Sequence, residues 1–417
     1  MRRALPTSAD GPVPEGQAYD VVVIGAGIAG AALAAAISDQ GLRIALVEAA
    51  PLGTGELPAT IDLANFDHRV SALTPRSREF LDRLEAWQPI ANYRHLPYQH
   101  MTVWDAEGTG RIEFDCSEVD APALGHIVEN RAIVDALLAR VLEAKDVTLY
   151  NPARLVSFEQ QADGPLQVLL DTGESLATSL LVAADGAQSR VREMAGFETR
   201  EWDYGHRAIV ATVEVEASHE DTAWQRFLPS GPLALLPLPG DRGRHYCSIV
   251  WSLQEGLVDG LLQQDDSGFC RELEVASERC LGAVLACSPR GAFPLRQRHA
   301  VDYVLPGIAL VADAAHTIHP LAGQGITLGL QDVDVLAQEI LAGGERGSDP
   351  GDIDLLRRYQ RRRKSENLLM MAAMDGFKRL FEQQALPVRW LRNVGMRGVG
   401  RLAPLKQQII RHAMGIH

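Results

Sequence analysis

The chain has few cysteines and no pattern among them. Cys116, Cys247, Cys270, Cys280 and Cys287 form no CxxC pair and no Cys/His spacing of a zinc site, so neither a disulfide framework nor a structural metal is expected, and the thiols read as reduced ones of a reducing compartment. Long apolar runs are lacking as well. Nothing approaches the ~20 residues that span a bilayer; the longest candidate, Ile28 to Ile37, is alanine-rich and belongs to a helix. Arg2 and Arg3 are followed by no apolar h-region, so residues 1–18 read as a flexible tail rather than a cleaved secretory signal. Positive charge is also short: 40 Lys and Arg stand against 54 Asp and Glu, a net −14. Phosphate neutralisation needs the opposite surplus, which excludes a general nucleic-acid binder. These absences place the protein in the cytoplasm, or at most peripherally at the inner face of a membrane.

What is present is a soluble globular composition, 46% hydrophobic and 23% charged over 417 residues, too long for one ordinary core. Tyr19 to Ile24 is a valine-rich run of the kind that forms a buried parallel strand, Ile28 to Gln40 continues as a helix of small residues ending at Gly41, and Leu42 to Glu48 reads as a second strand. This is a βαβ unit. Ser77 to Trp87 and Arg131 to Ala144 predict helices, Leu166 to Leu170 and Leu176 to Ala183 strands around an Asp-Thr-Gly turn. Alternating runs such as Ala208 to Val215 and His245 to Trp251 predict a second, sheet-based domain. Ile308 to Val311 returns to the buried-strand pattern, Gly325 to Leu341 predicts a helix, and the remainder is helical and basic. The fold class is α/β: a Rossmann-like domain (19–75, 100–195 and 296–345) interleaved with a sheet-based substrate domain (76–99 and 196–295), followed by a helical C-terminal region (346–417).

Three segments carry chemistry. In Gly25-Ala-Gly-Ile-Ala-Gly30 the first glycine permits the tight turn, Gly27 lets backbone approach a pyrophosphate, and Gly30 lets helix and strand pack closely. Alone such a string says little, but it sits between a strand and a helix, and Glu48 ends the next strand, where a carboxylate accepts hydrogen bonds from ribose hydroxyls. The second segment, Leu181 to Arg192, is a strand running into the turn Asp185-Gly186. In the third, Leu310 to Gly325, Asp313 stands at a strand end before a glycine-flanked loop and a helix start, which offers free N–H groups and a positive dipole to an electron-rich ligand atom. All three are expected at the carboxyl edge of one sheet.

These segments, in this order and spacing, resemble the single-component flavoprotein aromatic hydroxylases related to para-hydroxybenzoate hydroxylase. More narrowly, His126-Ile-Val-Glu-Asn130, Trp202-Asp-Tyr204, Ser248-Ile-Val-Trp251, Gly291-Ala-Phe-Pro-Leu295, Ala314 to Gly325 and Asp375-Gly-Phe-Lys-Arg-Leu-Phe381 are similar to the ubiquinone-biosynthesis FAD-dependent hydroxylases. The resemblance implies FAD as cofactor, NAD(P)H as cosubstrate, and hydroxylation of a polyprenylated phenol or quinol by O2. It implies that Gly25, Gly27, Gly30 and Glu48 hold the ADP half of FAD, that Asp313 binds the ribityl chain, and that Asp185, Gly186 and Arg192 serve FAD and the approach of the nicotinamide. It further implies that Arg69 and Ile326 lie near the flavin, with Pro320, Gly323, Gln324 and Gly325 beside the reacting ring. Three residues depart from the family pattern: Ala312 replaces a glycine, Thr327 an asparagine, and Asn130 an arginine found in many relatives.

The flavin carries the hard chemistry, so no catalytic triad is needed. A single GxGxxG disfavours enzymes with a second dinucleotide domain, and the six tryptophans form no Trp-x-Trp pair of the related halogenases. A hydroxylase of another aromatic compound, a prenyl reductase and a flavin-binding scaffold stay open as alternatives. His316 and His319 lie three apart, but no third ligand has suitable spacing, and no metal is expected. From Leu386 to His417 there are six Lys or Arg and no Asp or Glu, leaving about −20 on the rest of the chain. With its interspersed apolar residues this segment reads either as a packing helix pair with a solvated basic face, or as a contact for a membrane or a neighbouring enzyme of ubiquinone synthesis.

Overall fold

A computed structural model describes residues 17–53, 57–160, 164–317, 324–383 and 385–415; most of the segment expected as a tail lies outside them. The strand Gln17–Ile24 forms because Val21, Val22 and Val23 are all fully buried, each contributing about 1.5–3 kcal/mol. It is central to a sheet ordered Val304–Leu305, Ile308–Leu310, Ser175–Ala183, Gln17–Ile24, Ile44–Val47, Val147–Tyr150. From Ile308–Leu310 to Val147–Tyr150 the neighbours run parallel, and strands Leu166–Leu170 and Leu155–Gln160 extend Ser175–Ala183 in antiparallel fashion. The helix Ile28–Ile37 needs its small residues: it packs against both Asn130–Glu143 and Gln324–Glu345, so Ala31, Ala32, Leu33 and Ala34 are buried on every side.

Among the described residues the second sheet has nine strands, with Thr199–Val215, His245–Gln254 and Gly231–Leu238 at its centre. One face, carrying Ile209, Ala211, Val213, Leu233, Leu235, Ile249 and Trp251, is covered by helices Glu255–Leu262 and Asp266–Ala276. On the other face the pattern alternates: Pro232, Ala234 and Leu236 stay half-buried between fully buried neighbours. A two-residue strand, His316–Thr317, pairs with Gly291–Ala300 and joins the two sheets (His299 opposite His316, Arg298 opposite Thr317).

Two domain assignments exchange places. Helices Pro75–Arg83 and Trp87–Tyr93, expected in the second domain, bury Phe80, Leu81, Leu84, Trp87 and Ile90 in the core of the first. The hairpin His100–Asp105 and Arg111–Asp115, expected in the first, pairs through His100–Asp105 with Thr222–Leu228 in the second sheet. Periodicity identifies an element's type and its apolar face, whereas which core that face meets depends on partners remote in sequence.

Beyond residue 352 the chain forms helices Ile353–Glu382, Leu386–Arg401 and Ala403–Met414. The last two lie on the edge hairpin of the second sheet, and three of their basic residues point inward. Arg392 is buried against Asp105 at 2.6 Å, Arg389 lies 3.4 Å from Glu107, and Lys406 2.6 Å from Glu118. The expected solvated basic face is therefore, for these three residues, a docking face. Among the described residues no helix is long and apolar enough to cross a membrane.

Candidate functional site

Four parallel strands end side by side. Ile24 is in register with both Ala183 and Val47, and Ala183 with Leu310, so the turns at Gly25, Glu48, Asp185 and Asp313 all leave the sheet at its carboxyl edge.

The glycine loop is shaped by two close approaches and one open position. A Cβ on Gly25 (φ 103°) would lie 2.5 Å from the Ala184 carbonyl oxygen, and one on Gly30 would lie 1.8 Å from the carbonyl oxygen of Gly25. Gly27 would meet nothing within 4 Å. It precedes a helix that has no side-chain cap and no acid in its first turn, so free N–H groups face an open cradle suited to a pyrophosphate. Glu48 closes the adjacent side, accepting from the Ala26 N–H at 2.8 Å and the Ala50 N–H at 2.7 Å; a carboxylate so held retains lone pairs for ribose hydroxyls.

At the second turn, Asp185 Oδ2 accepts from the N–H groups of Arg190 (2.8 Å) and Val191 (3.3 Å), while Oδ1 is buried without a hydrogen-bond partner among the described residues. Gly186 has φ 81° with open space at its Cβ position. Arg192 lies behind the turn rather than toward the cradle. Its guanidinium donates to the carbonyls of Ala314 and Ala187, each at 2.8 Å, and burial followed by the nearby Arg298 lowers its pKa. It clamps the second turn to the third.

At the third turn, burial raises the Asp313 carboxyl, and the charges of His316 and Arg69 pull it back. Ala312 holds φ 52°, a left-handed conformation costing an alanine about 1–2 kcal/mol, and a Cβ on Gly329 would meet its methyl at 2.8 Å. The departure from glycine is thus accommodated at the expense of backbone strain. Ala312→Gly is expected to raise stability by about 0.5–1 kcal/mol in a denaturant titration, the relief exceeding the added chain entropy of glycine; an unchanged or lower midpoint would refute the strain.

Beneath this turn lies a buried polar network that sequence reasoning did not find. His316 Nε2–H donates to Asp332 Oδ2 at 2.5 Å, and Asp332 Oδ1 accepts from Arg363 Nε at 2.8 Å and Asn367 Nδ2 at 3.0 Å. The Ala312 N–H donates to the same carboxylate at 3.1 Å. Asp332 and Asn367 are fully buried and Arg363 is 1% exposed. Burial pushes the Asp332 carboxyl up, but His316, Arg363 and Asn367 outweigh it and hold its pKa at about 2. The available signal was an aspartate at a register shared with the buried Leu328 and Leu336 of the helix Gln324–Glu345.

That helix begins at Gln324, with open space at Gly325, Ile326 half-buried against the nucleotide core, and Thr327 Oγ1 buried without a partner among the described residues. Pro320 and Gly323, like His319, lie outside the described residues. Arg69 is exposed and stands 5.9 Å from the ring centroid of Phe293. Asn130 accepts from Ser71 Oγ at 2.6 Å, and its neighbour Glu129 is buried between Arg94 (2.8 Å) and Arg131 (2.7 Å), a pairing also unforeseen. The open cradle at Gly27 and the unpartnered atoms of Asp185 and Thr327 fit an extended dinucleotide running from the first helix start toward the second.

The FAD binding domain family matches residues 18–372, most of the chain. Ubiquinone hydroxylase UbiL of Rhodospirillum rubrum is 38% identical over 98% of this chain and 93% of its own length. The 3-demethoxyubiquinol 3-hydroxylase of Escherichia coli is 35% identical over 96% and 99%, and the human mitochondrial ubiquinone biosynthesis monooxygenase COQ6 is 33% identical over 95% and 92%. Two solved structures share the fold: p-nitrophenol 4-monooxygenase PnpA from Pseudomonas putida (TM-score 0.77, 17% identity, 97% of this chain and 99% of that one) and PqsL from Pseudomonas aeruginosa in complex with 2-aminobenzoylacetate (0.75, 20%, 92% and 100%). The chain belongs to the FAD binding domain family and, within it, to the group of ubiquinone-biosynthesis hydroxylases. It is an FAD-dependent monooxygenase.

Proposed function

We propose that this enzyme uses NAD(P)H and O2 to hydroxylate the ring of a polyprenylated phenol or quinol in ubiquinone biosynthesis. The observation that carries the reading is where the second sheet turns its open face. Phe293 pairs with Ala208 and Gly291 with Val210, and Val210 is in register with Val250, itself opposite Ala234. These residues form an apolar row of small side chains on the face that carries Phe293, and Phe293 meets Arg69, whose charge acts on Asp313. Ala234 and Val250 stay half-buried in mid-sheet, as residues lining an internal space do. An aromatic ring with an apolar tail suits that lining.

The site residues divide the work. Gly25, Gly27, Gly30 and Glu48 hold the ADP half of FAD, Asp313 the ribityl chain, and the helix start at Gln324, Gly325 and Ile326, with Pro320 and Gly323 before it, the ring. Asp185 and Gly186 serve FAD and the nicotinamide, and Arg69 lies near the flavin. When bound, FAD accepts hydride from NAD(P)H and activates dioxygen. The chain orients the ring, keeps water out with the apolar row, and directs the positive end of the helix Gln324–Glu345 toward negative charge on the reduced ring. Residues 386–417 supply the contact with a membrane or a neighbouring enzyme, which makes the protein peripheral. The expected result with purified holoenzyme is NAD(P)H oxidation that depends on a prenylated phenol, with matching O2 uptake and a product one oxygen atom heavier by mass spectrometry. Flavin that is never reduced, or a product with a saturated prenyl chain, would overturn the reading.

A further inference from the structure

The helix Leu386–Arg401 is amphipathic the wrong way round for a packed domain. On Leu386–Arg401 the side chains turned inward are Arg392 (4% exposed), Asn393 and Met396, and those turned outward are Leu386 (75%), Trp390 (64%), Leu391 (61%) and Val394 (40%). The outward set recurs at i, i+4, i+5 and i+8, one face of a helix. Ala403–Met414 buries apolar Ile410 and Met414 against the protein, yet Leu405 and Ile409, with Leu402 just before the helix, also face out. The pair is held inward by polar contacts. Arg392 and Asn393 both donate to Asp105 Oδ2, at 2.8 and 3.1 Å, Asn393 also accepts from the Gly110 N–H, and Lys406 meets Glu118. Seven large apolar side chains are thus exposed on two adjoining helices, a concentration that marks an interaction site rather than ordinary exposure.

We propose that this surface docks on an anionic lipid bilayer, Trp390 and its neighbours entering the headgroup boundary; the proposal rests on the reading that the substrate carries a polyprenyl tail. Charge selects this occupant. Between Leu386 and His417 there is no Asp or Glu, and Arg397 and Arg411 are exposed. A second copy meeting this face by two-fold symmetry would set arginine against arginine with no acid between them. The rest of the chain carries about −20, so this is the face with which the molecule can approach negative lipid. A tryptophan within an apolar stripe flanked by arginine is the residue pattern of a bilayer interface. The helices rest on the edge hairpin of the substrate sheet, with Met396 packed in one cluster with Val103, Ile112 and Phe227, so docking brings that sheet to the phase in which a polyprenyl chain dissolves.

The test is co-sedimentation of the FAD-loaded full chain with vesicles of phosphatidylcholine and phosphatidylglycerol in equal parts. The native protein is expected to bind and its tryptophan emission to be quenched by brominated lipid. Trp390→Ser/Leu391→Ser should weaken binding by about tenfold or more, and Arg397→Glu/Arg411→Glu should weaken it in a salt-dependent way. Failure of the native protein to bind, unchanged binding of the first variant, or a native dimer that this variant dissolves would overturn the proposal. Turnover of a short-tailed, water-soluble phenol is measured alongside. Turnover without vesicle binding sinks docking alone, and vesicle binding without turnover supports docking while sinking the hydroxylase reading.

Discussion

Gly27→Val is expected to yield a folded, colourless protein, whereas Gly30→Ala should yield one that is both colourless and destabilised. The two glycines lie three residues apart but meet different neighbours. A side chain at Gly27 meets no protein atom within 4 Å, and the residue's extended backbone (φ −67°, ψ −173°) suits valine, so the polypeptide tolerates the change. The added methyls occupy the space that a pyrophosphate needs against the first free N–H groups of the helix, and the bound flavin is lost. At Gly30 the new methyl would lie 1.8 Å from the Gly25 carbonyl oxygen, and since that oxygen is backbone, helix and strand must separate. The measurement is flavin absorbance per protein together with the thermal midpoint of the apo-protein. If Gly27→Val retained stoichiometric flavin, the assignment of the ADP half would be wrong; if Gly30→Ala kept the native midpoint, the packing argument would be.

Arg363→Met is expected to destabilise the protein by about 3–5 kcal/mol, the usual penalty for leaving one partner of a buried ion pair without its counter-charge. Asp332 would remain with His316 and Asn367 in a site sealed from water. Asp332→Asn/Arg363→Met should recover part of the loss, because the carboxylate that needed pairing is gone. The same network fixes a pH dependence. The carboxyl's ordinary pKa of 3.8 falls to about 2 in the folded state, so its contribution is complete above pH ~4 and is lost as pH falls toward ~2. A urea titration of the native protein and both variants between these limits checks the sign: the native protein should lose stability over this interval and the double variant less. A double variant as unstable as the single one would show that the pairing energy lies elsewhere. Since His316 and the Ala312 N–H hang from the same carboxylate, Arg363→Met should also speed FAD dissociation.

The parts of this architecture legible in the sequence are those in which a residue's role is decided within a turn or two of chain. The valine run, the alanine helix and Gly25 to Gly30 announced themselves because a buried parallel strand and a close-packed helix start each demand particular residues locally. Asp185 and Asp313 were legible as strand ends, and the parallel register of their strands brings them to one edge. Arg192 was assigned toward the ligand by resemblance, while the structure turns it onto two carbonyls; nothing local distinguishes an arginine that contacts a cofactor from one that braces the loop behind it. The Asp332 network needed two helices crossing at one depth, and spacing along either helix alone does not encode that. At the C-terminus the count of basic residues did not reveal that Arg389, Arg392 and Lys406 turn inward while Arg397 and Arg411 stay exposed, because composition does not say which side of a helix faces Asp105 and Glu118.

The pairing of His316 and Thr317 with His299 and Arg298 has a mechanical consequence. The stretch from Ile308 to Thr317 begins as a strand of the parallel sheet and ends as a strand of the antiparallel one, so the Asp313 turn is sewn into both halves of the molecule within ten residues. Sliding one half past the other would have to break the Arg298–Thr317 ladder or pull Asp313 off its sheet. The seam therefore resists shear at the Asp313 turn, which moves with both sheets or not at all.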